Sequence, residues 1–398
     1  MLWALNTSAH SVLRNDIRSL MVYTDDGWDR MPVIDLNSDE HIYIEFDQMS
    51  HDYHRYTYTI NHCEPDWSLS EEIFESDYLI GINNSPIDDY ELSLNTNHIY
   101  THYTLALPNE QCAFKMSGNY LLTVYDDDDD RTPLIKARLY VVDNLMSAGF
   151  TVETNTDIDI NRSHQQVKAS VNFSNVRVMK PREQITITVM QNGEHGFRTD
   201  NPPADIIMAD GLQWSHVRSL IFEGGNEYHK FEMLSTSHAS TNVDHIKWDG
   251  RDWYASLVYD FPQPNYLYDE DADGYFLLRN SDDYESTTTS EYVYINYVVK
   301  SPYYNGYNVY VDGAWTTGDK EEYKMEYNHE AGMYYCSVLQ KLGYYNYRYV
   351  MEPEGGGTRV LMPSQGSFFE TQNAYDMFVY YKEIGGRTYR LAAHAASH

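Results

Sequence analysis

Apolar and polar residues alternate with a period of two along much of this chain, and that period puts successive side chains on opposite faces of an extended strand. In His41-Ile42-Tyr43-Ile44-Glu45-Phe46, residues Ile42, Ile44 and Phe46 share one face while Tyr43 and Glu45 take the other. In Gln184-Ile185-Thr186-Ile187-Thr188-Val189 the inward set is Ile185, Ile187 and Val189, and Asn192-Gly193 follows as a hairpin turn signal. Residues 292–299, 308–311 and 344–350 read the same way. Apolar residues at helical spacing are scarce, residues 68–79 being the best stretch, so helix is a minor component. A half-buried antiparallel sheet must cover its apolar face with a second sheet. Many short strands separated by turn residues therefore predict an all-β chain of antiparallel, immunoglobulin-like sandwiches.

At 398 residues the chain exceeds what one core usually serves. Three tandem domains are predicted, over 1–145, 146–290 and 291–398. The first boundary follows the strong strand pattern of residues 134–142, at Val142-Asp143-Asn144-Leu145-Met146-Ser147. The second follows a polar break at residues 280–290 that contains Ser281-Asp282-Asp283 and Thr287-Thr288-Thr289. No internal repeat supports a solenoid or propeller.

Charge narrows the partners. Sixty acids against 28 bases give a formal charge of −32, with no basic run, which argues against nucleic acid and against anionic membrane surfaces. The acidic excess serves solubility or matches a basic partner. No stretch has the ~20 apolar residues of a membrane-spanning helix, so no membrane insertion is expected. Residues 1–10 lack the basic start, apolar centre and cleavage site of a secretory leader, which leaves a cytosolic protein or a mature form whose leader has been removed.

Candidate chemistry is thin. Asp269-Glu270-Asp271-Ala272-Asp273-Gly274 places acids at the first, third and fifth positions of a calcium loop, but Asn280 stands where the bidentate Glu belongs and the flanks read as strands. Asp269, Asp271 and Asp273 are thus a weak cation candidate set against a solvated turn, and no cofactor is expected. Asp126 to Asp130 form a run of like charge suited to an exposed hairpin tip. Cys63, Cys112 and Cys336 show no metal-ligand spacing; Cys63 and Cys112 pair if their strands are neighbours and are otherwise isolated buried thiols. No G-x-S-x-G, H-E-x-x-H or phosphate-loop motif occurs, so no catalytic residue is assigned.

Tyrosine is the compositional anomaly, with 38 copies and doublets at Tyr303-Tyr304, Tyr334-Tyr335, Tyr344-Tyr345 and Tyr380-Tyr381. Sheet packing accounts for many of them. A doublet on one strand, however, must turn one ring outward, and exposed tyrosine gives rigid contact area at low entropic cost. Trp315, Tyr344 and Tyr345, near hairpin ends, are the partner-binding candidates.

Several segments together resemble one family, the plug protein of the bacterial type IX secretion translocon. They are Val33-Ile34-Asp35-Leu36-Asn37-Ser38, Tyr56-Thr57-Tyr58-Thr59-Ile60-Asn61-His62-Cys63 with Trp67, Asn97-His98-Ile99-Tyr100-Thr101-His102-Tyr103 and Ser117-Gly118-Asn119-Tyr120-Leu121-Leu122. Phe222-Glu223-Gly224-Gly225-Asn226-Glu227-Tyr228 and Gly343-Tyr344-Tyr345-Asn346-Tyr347-Arg348-Tyr349-Val350 continue the series, from about residue 17 to residue 391. The resemblance implies a non-enzymatic periplasmic protein, its signal peptide removed, that seats against an outer-membrane translocon β-barrel and closes the periplasmic opening when no cargo passes. The acid-rich 269–274 loop and Cys112 depart from the family pattern.

A second likeness concerns the C-terminal region. Val309-Tyr310-Val311-Asp312-Gly313-Ala314-Trp315 followed by residues 344–351 resembles early-Set sandwiches, which include glycogen- and starch-binding modules. It implies the alternative reading, a carbohydrate-binding β-sandwich whose exposed aromatics stack on sugars.

Overall fold

The computed structural model describes residues 9–281 and 285–397, so residues 1–8, residues 282–284 of the polar break, with its Asp282-Asp283, and His398 lie outside the described residues. The chain is all-β, built from antiparallel sheets, with helix confined to single turns such as Glu75–Tyr78 inside the helix-like stretch. Among the described residues, buried apolar side chains gather in three large cores and a smaller cluster between the first two modules.

The N-terminal module is a sandwich. One sheet orders the strands Ser11–Val12, Thr132–Val142, Gly118–Asp126, Tyr56–Cys63 and Ser85–Pro86, with Val33–Asp35 parallel to Thr132–Val142. The facing sheet runs Ile17–Thr24, Ile42–Gln48, Thr101–Leu107, Asp89–Leu92. Ile42, Ile44 and Phe46 are fully buried between the sheets, as their alternation predicts. The acidic run caps the hairpin between Gly118–Asp126 and Thr132–Val142. Gly118 (φ +157°) permits a close approach, since a β-carbon there would lie 2.1 Å from His62 Nε2.

The second module is split. Strands Ser147–Glu153, His164–Asn172, Gly211–Trp214 and Ile206–Ile207 form one sheet, with Ile221–Glu223 on His164–Asn172. Its facing sheet runs Arg198–Asp200, Ile185–Gln191, Tyr375–Tyr381, Arg390–Ser397. The last two strands of the chain therefore complete the core that starts at Met146.

Between these halves sits an inserted module, one ten-stranded sheet from His229–Met233 to Val360–Leu361 whose core, from Phe231 to Met362, is joined by Met21 of the N-terminal module. The pairing thus departs from the divisions 146–290 and 291–398: strands on both sides of residue 290 share the inserted sheet, and residues 375–397 return to the split module. The described part of the polar break after residue 284 lies inside the inserted module and holds the single turn Ser286–Thr289 just before the strand Tyr292–Lys300. A polar composition suggests exposed backbone, but here Thr288 and Ser290 are buried, and their polarity belongs to a segment packed inside the fold and not to a boundary.

The two linkers of the insertion run side by side. Phe368 N donates to Gly225 O (2.8 Å), Gly224 N to Ser163 O (2.8 Å) and Asn373 Nδ2 to Gly224 O (2.8 Å). A β-carbon on Gly224 would meet Phe368 O at 2.0 Å, so only glycine lets the linkers approach this closely.

All three modules press on one another. Tyr140 of the first stacks on Phe378 of the second (4.3 Å, 15°) and Tyr380 donates to Asn119 Oδ1 (3.0 Å). Between the first and the inserted module lies a fully buried ion pair, Lys341 Nζ to Asp47 Oδ2 at 2.7 Å. Glu194 of the split module meets Arg348 and Tyr228 of the insertion. With each module tied to both others, the molecule presents fixed surfaces.

Cys63, Cys112 and Cys336 are free thiols. Cys112 lies on Cys112–Phe114, which pairs with Leu79–Gly81 and not with the Cys63 strand. Burial pushes the Cys63 thiol up to about 12 and the Cys112 thiol to about 11, which makes both poor nucleophiles.

Candidate partner-binding surface

The tyrosine doublets divide by how each sheet is covered. Tyr334 is buried while Tyr335 is 42% exposed, as alternation on a one-sided sheet requires. Tyr303 is likewise exposed. Tyr380 and Tyr381 are both buried, because Tyr375–Tyr381 is covered on one face by its own core and on the other by the N-terminal module. The rule that one ring of a doublet turns outward fails wherever a module packs on the outer face.

That failure reaches the residues expected to bind a partner. Trp315 is buried in the inserted core, donates Nε1–H to Asn346 O (2.8 Å) and stacks on Tyr297 (5.9 Å, 14°). Tyr345 is 3% exposed, stacked on Phe231 (5.2 Å, 9°), with its hydroxyl bonded to Lys341 O (2.6 Å). Tyr344 is half-buried, edge-on to Trp28 (6.1 Å). Trp315 and Tyr345 hold the fold while Tyr344 stays partly at the surface, and a sugar platform built on Trp315 is closed by its burial.

The strongest exposed aromatic display lies on a segment that local alternation does not flag. Residues 258–268 read Val-Tyr-Asp-Phe-Pro-Gln-Pro-Asn-Tyr-Leu-Tyr. Pro262 and Pro264 cannot donate to a strand ladder, which makes this a loop, and the stretch 265–268 that resembles a strand in sequence is none. Val258 (52%), Tyr259 (50%), Phe261 (53%), Leu267 (76%) and Tyr268 (52%) are all exposed. Apolar surface this dense on one loop is what a binding face offers and what a solvated loop avoids.

Polar ties hold the loop in place. Asp260 turns inward, its Oδ2 accepting from Tyr347 (2.9 Å) and Tyr349 (2.6 Å), its Oδ1 3.0 Å from His229 Nδ1. Gln263 N donates to Ser364 O (2.9 Å), and the Tyr266 hydroxyl donates to Glu227. A crevice of about 310 Å³ under the loop is lined in part by His229, Lys230, Val258, Pro264 and Leu267.

The expected cation loop proves to be the far anchor of the same segment. Asp269 Oδ1 pairs with Lys230 Nζ (2.6 Å); Asp271 accepts from the backbone of Tyr228 and of Asp273 (2.8 Å); Asp273 Oδ1 accepts from Ala374 N (3.4 Å). The three carboxylates face different donors, so they act as turn caps joining the loop to both linkers. Among the described residues His54, Asp126 and Asp128 do bring ligand atoms within 4.8 Å, but Asp126 already accepts from Arg14 Nη1 (2.8 Å) and Asp128 N (3.0 Å).

Burial raises the Asp271 carboxyl to about 7 and the Asp273 carboxyl to about 6. A carboxyl whose pKa is higher folded than unfolded (ordinarily ~3.9) contributes stability below the unfolded value and loses it as pH rises through the folded one. The melting temperature should therefore carry a component that falls between about pH 5 and about pH 7.5. In Asp271→Asn/Asp273→Asn that component should shrink, as scanning calorimetry at the two pH values would show; an unchanged difference would count against the assignment.

A family profile and a solved structure are similar to this chain. A family profile described as "Type 9 secretion system plug protein 1st domain" matches residues 17–143, the N-terminal sandwich apart from its first short strand. A crystal structure of a hypothetical protein from Parabacteroides merdae superposes with a TM-score of 0.94 at 32% identity, covering 98% of this chain and 99% of that one. No curated protein matches.

Proposed function

Since the chain belongs to the type IX secretion system plug protein family, we propose that it is a periplasmic plug that binds the outer-membrane translocon β-barrel and closes its periplasmic opening in the absence of cargo. The observation that carries this reading is the family match over the N-terminal sandwich, joined to a relative of the same three-module architecture along nearly the whole chain. A plug must resist deformation and must hold its partner without chemistry. The interlocked modules supply the first, and the 258–268 loop supplies an aromatic contact anchored from beneath. The family and the all-β fold favour a non-enzymatic role in the cell envelope, and no helix of the described residues is long and apolar enough to cross a membrane.

The loop is the contact we assign to the barrel, in place of Trp315, Tyr344 and Tyr345. Tyr259, Phe261 and Tyr268 are the aromatic residue types enriched in interface cores, with Leu267 as flanking apolar contact. The test is affinity capture of the tagged protein from native envelope extract, with mass spectrometry of the proteins retained. An outer-membrane barrel of the secretion system should be the leading partner. Recovery of no such barrel above an untagged control would count against the reading.

A further inference from the structure

The strand Asp89–Leu92 ends the N-terminal module's second sheet, and every one of its residues is exposed. Its inner neighbour is Thr101–Leu107, with Glu91 opposite His102 and Tyr90 opposite Tyr103. In the same register Ser93 lies opposite Tyr100 and donates its N–H to the Tyr100 carbonyl at 2.8 Å. Antiparallel pairs alternate between bonded and non-bonded, so Glu91 and Asp89 take the inward bonds while the N–H and C=O groups of Tyr90 and Leu92 point to the open edge. Natural edges of this kind are ordinarily covered, blocked by proline, or kept short and charged; this strand is short and carries Asp89 and Glu91, but it holds no proline and all four residues are exposed. Here Leu92 is followed by exposed Leu94, and Tyr90 packs on exposed Tyr53 (4.9 Å).

Side chains set the occupant. Tyr90 (42% exposed) and Leu92 (43%) share one face of the strand, and Asp89 and Glu91 share the other. A strand added at this edge would place alternate residues beside Tyr90, Leu92 and Tyr53, where apolar side chains gain contact. Its intervening residues would lie beside the two carboxylates, where Lys or Arg gains and Asp or Glu loses. Two copies of this same acidic edge would repel each other, which disfavours self-pairing.

We propose that Asp89–Leu92 is a docking edge for an extended segment of a partner polypeptide, apolar at alternate positions and basic between them, bound by strand addition. The proposal is independent of how the barrel is met, because it is tested on the purified chain with a defined probe. The probe is an octapeptide of alternating Lys and Val, compared with a block peptide of four Lys followed by four Val. Calorimetric titration should give tighter binding of the alternating peptide, with the amides of Tyr90 and Leu92 gaining protection from hydrogen exchange.

Leu92→Pro removes an outward N–H and leaves the internal ladder intact, so it should weaken the alternating peptide by at least about tenfold. Asp89→Lys/Glu91→Lys keeps every backbone group and should weaken it also, which guards against misfolding of the proline variant. Equal affinity for both peptides, no binding, undiminished binding by the folded variants, or self-association through this edge would each overturn the proposal.

Discussion

Replacing Lys341 with methionine is expected to lower the unfolding free energy by about 3–5 kcal/mol, because it strands a buried carboxylate. Lys341 and Asp47 are wholly inaccessible and meet at 2.7 Å across the contact between the N-terminal and inserted modules. The ammonium also donates to Thr287 O (2.6 Å) and lies 4.1 Å from the centre of the Tyr100 ring. Asp47 accepts from the Tyr292 hydroxyl (2.7 Å) and lies 2.7 Å from His102 Nδ1. Burial pushes the Asp47 carboxyl up, yet Lys341 and His102 prevail and hold it below its ordinary value. A depressed carboxyl contributes stability above the unfolded pKa and loses it as pH falls through the folded one, so the deficit of Lys341→Met should narrow below about pH 4. Asp47→Asn/Lys341→Met should lose less than Lys341→Met alone, since a neutral amide tolerates the burial that a lone charge does not. Urea titration followed by circular dichroism measures all three. A Lys341→Met loss under about 1 kcal/mol would show that the pair contributes little to joining the modules.

The second large effect concerns binding. Phe261→Asp combined with Tyr268→Asp should reduce capture of the barrel by at least about thirtyfold, the scale of losing a central anchor of about 2 kcal/mol or more. Both side chains are about half exposed, so the urea midpoint should hold steady. Trp315→Phe is the informative contrast: it removes an indole that bonds Asn346 O and should destabilise the inserted module. Any loss of capture in that variant should track its unfolding. Equal capture by the double aspartate variant and the wild type would move the contact away from this loop.

How far the sequence reveals this molecule depends on the distance over which each feature is determined. Strands are legible because alternation is local: Ile42, Ile44 and Phe46 announce their face within a few residues. The split of the second module is not, because Ile185–Gln191 pairs with Tyr375–Tyr381 and nothing near either strand records the other. The boundary near residue 290 fails for the same reason, polarity marking a packed segment as readily as a linker. Trp315 and Tyr345 look like surface anchors because a hairpin end is usually exposed; their burial comes from Tyr297, Phe231 and Asn346, all remote in sequence or on other strands. The aromatic loop does leave a signal in Phe261-Pro262-Gln263-Pro264. Two prolines exclude the ladder, and aromatics excluded from a ladder stand exposed unless something covers them.

Single-channel recording of the purified translocon barrel, before and after addition of this chain, tests the central claim most directly. The account predicts a large pore whose conductance collapses when the wild-type protein is added and stays open when the Phe261→Asp/Tyr268→Asp variant is added instead. A pore whose conductance is indifferent to the wild-type protein would contradict it.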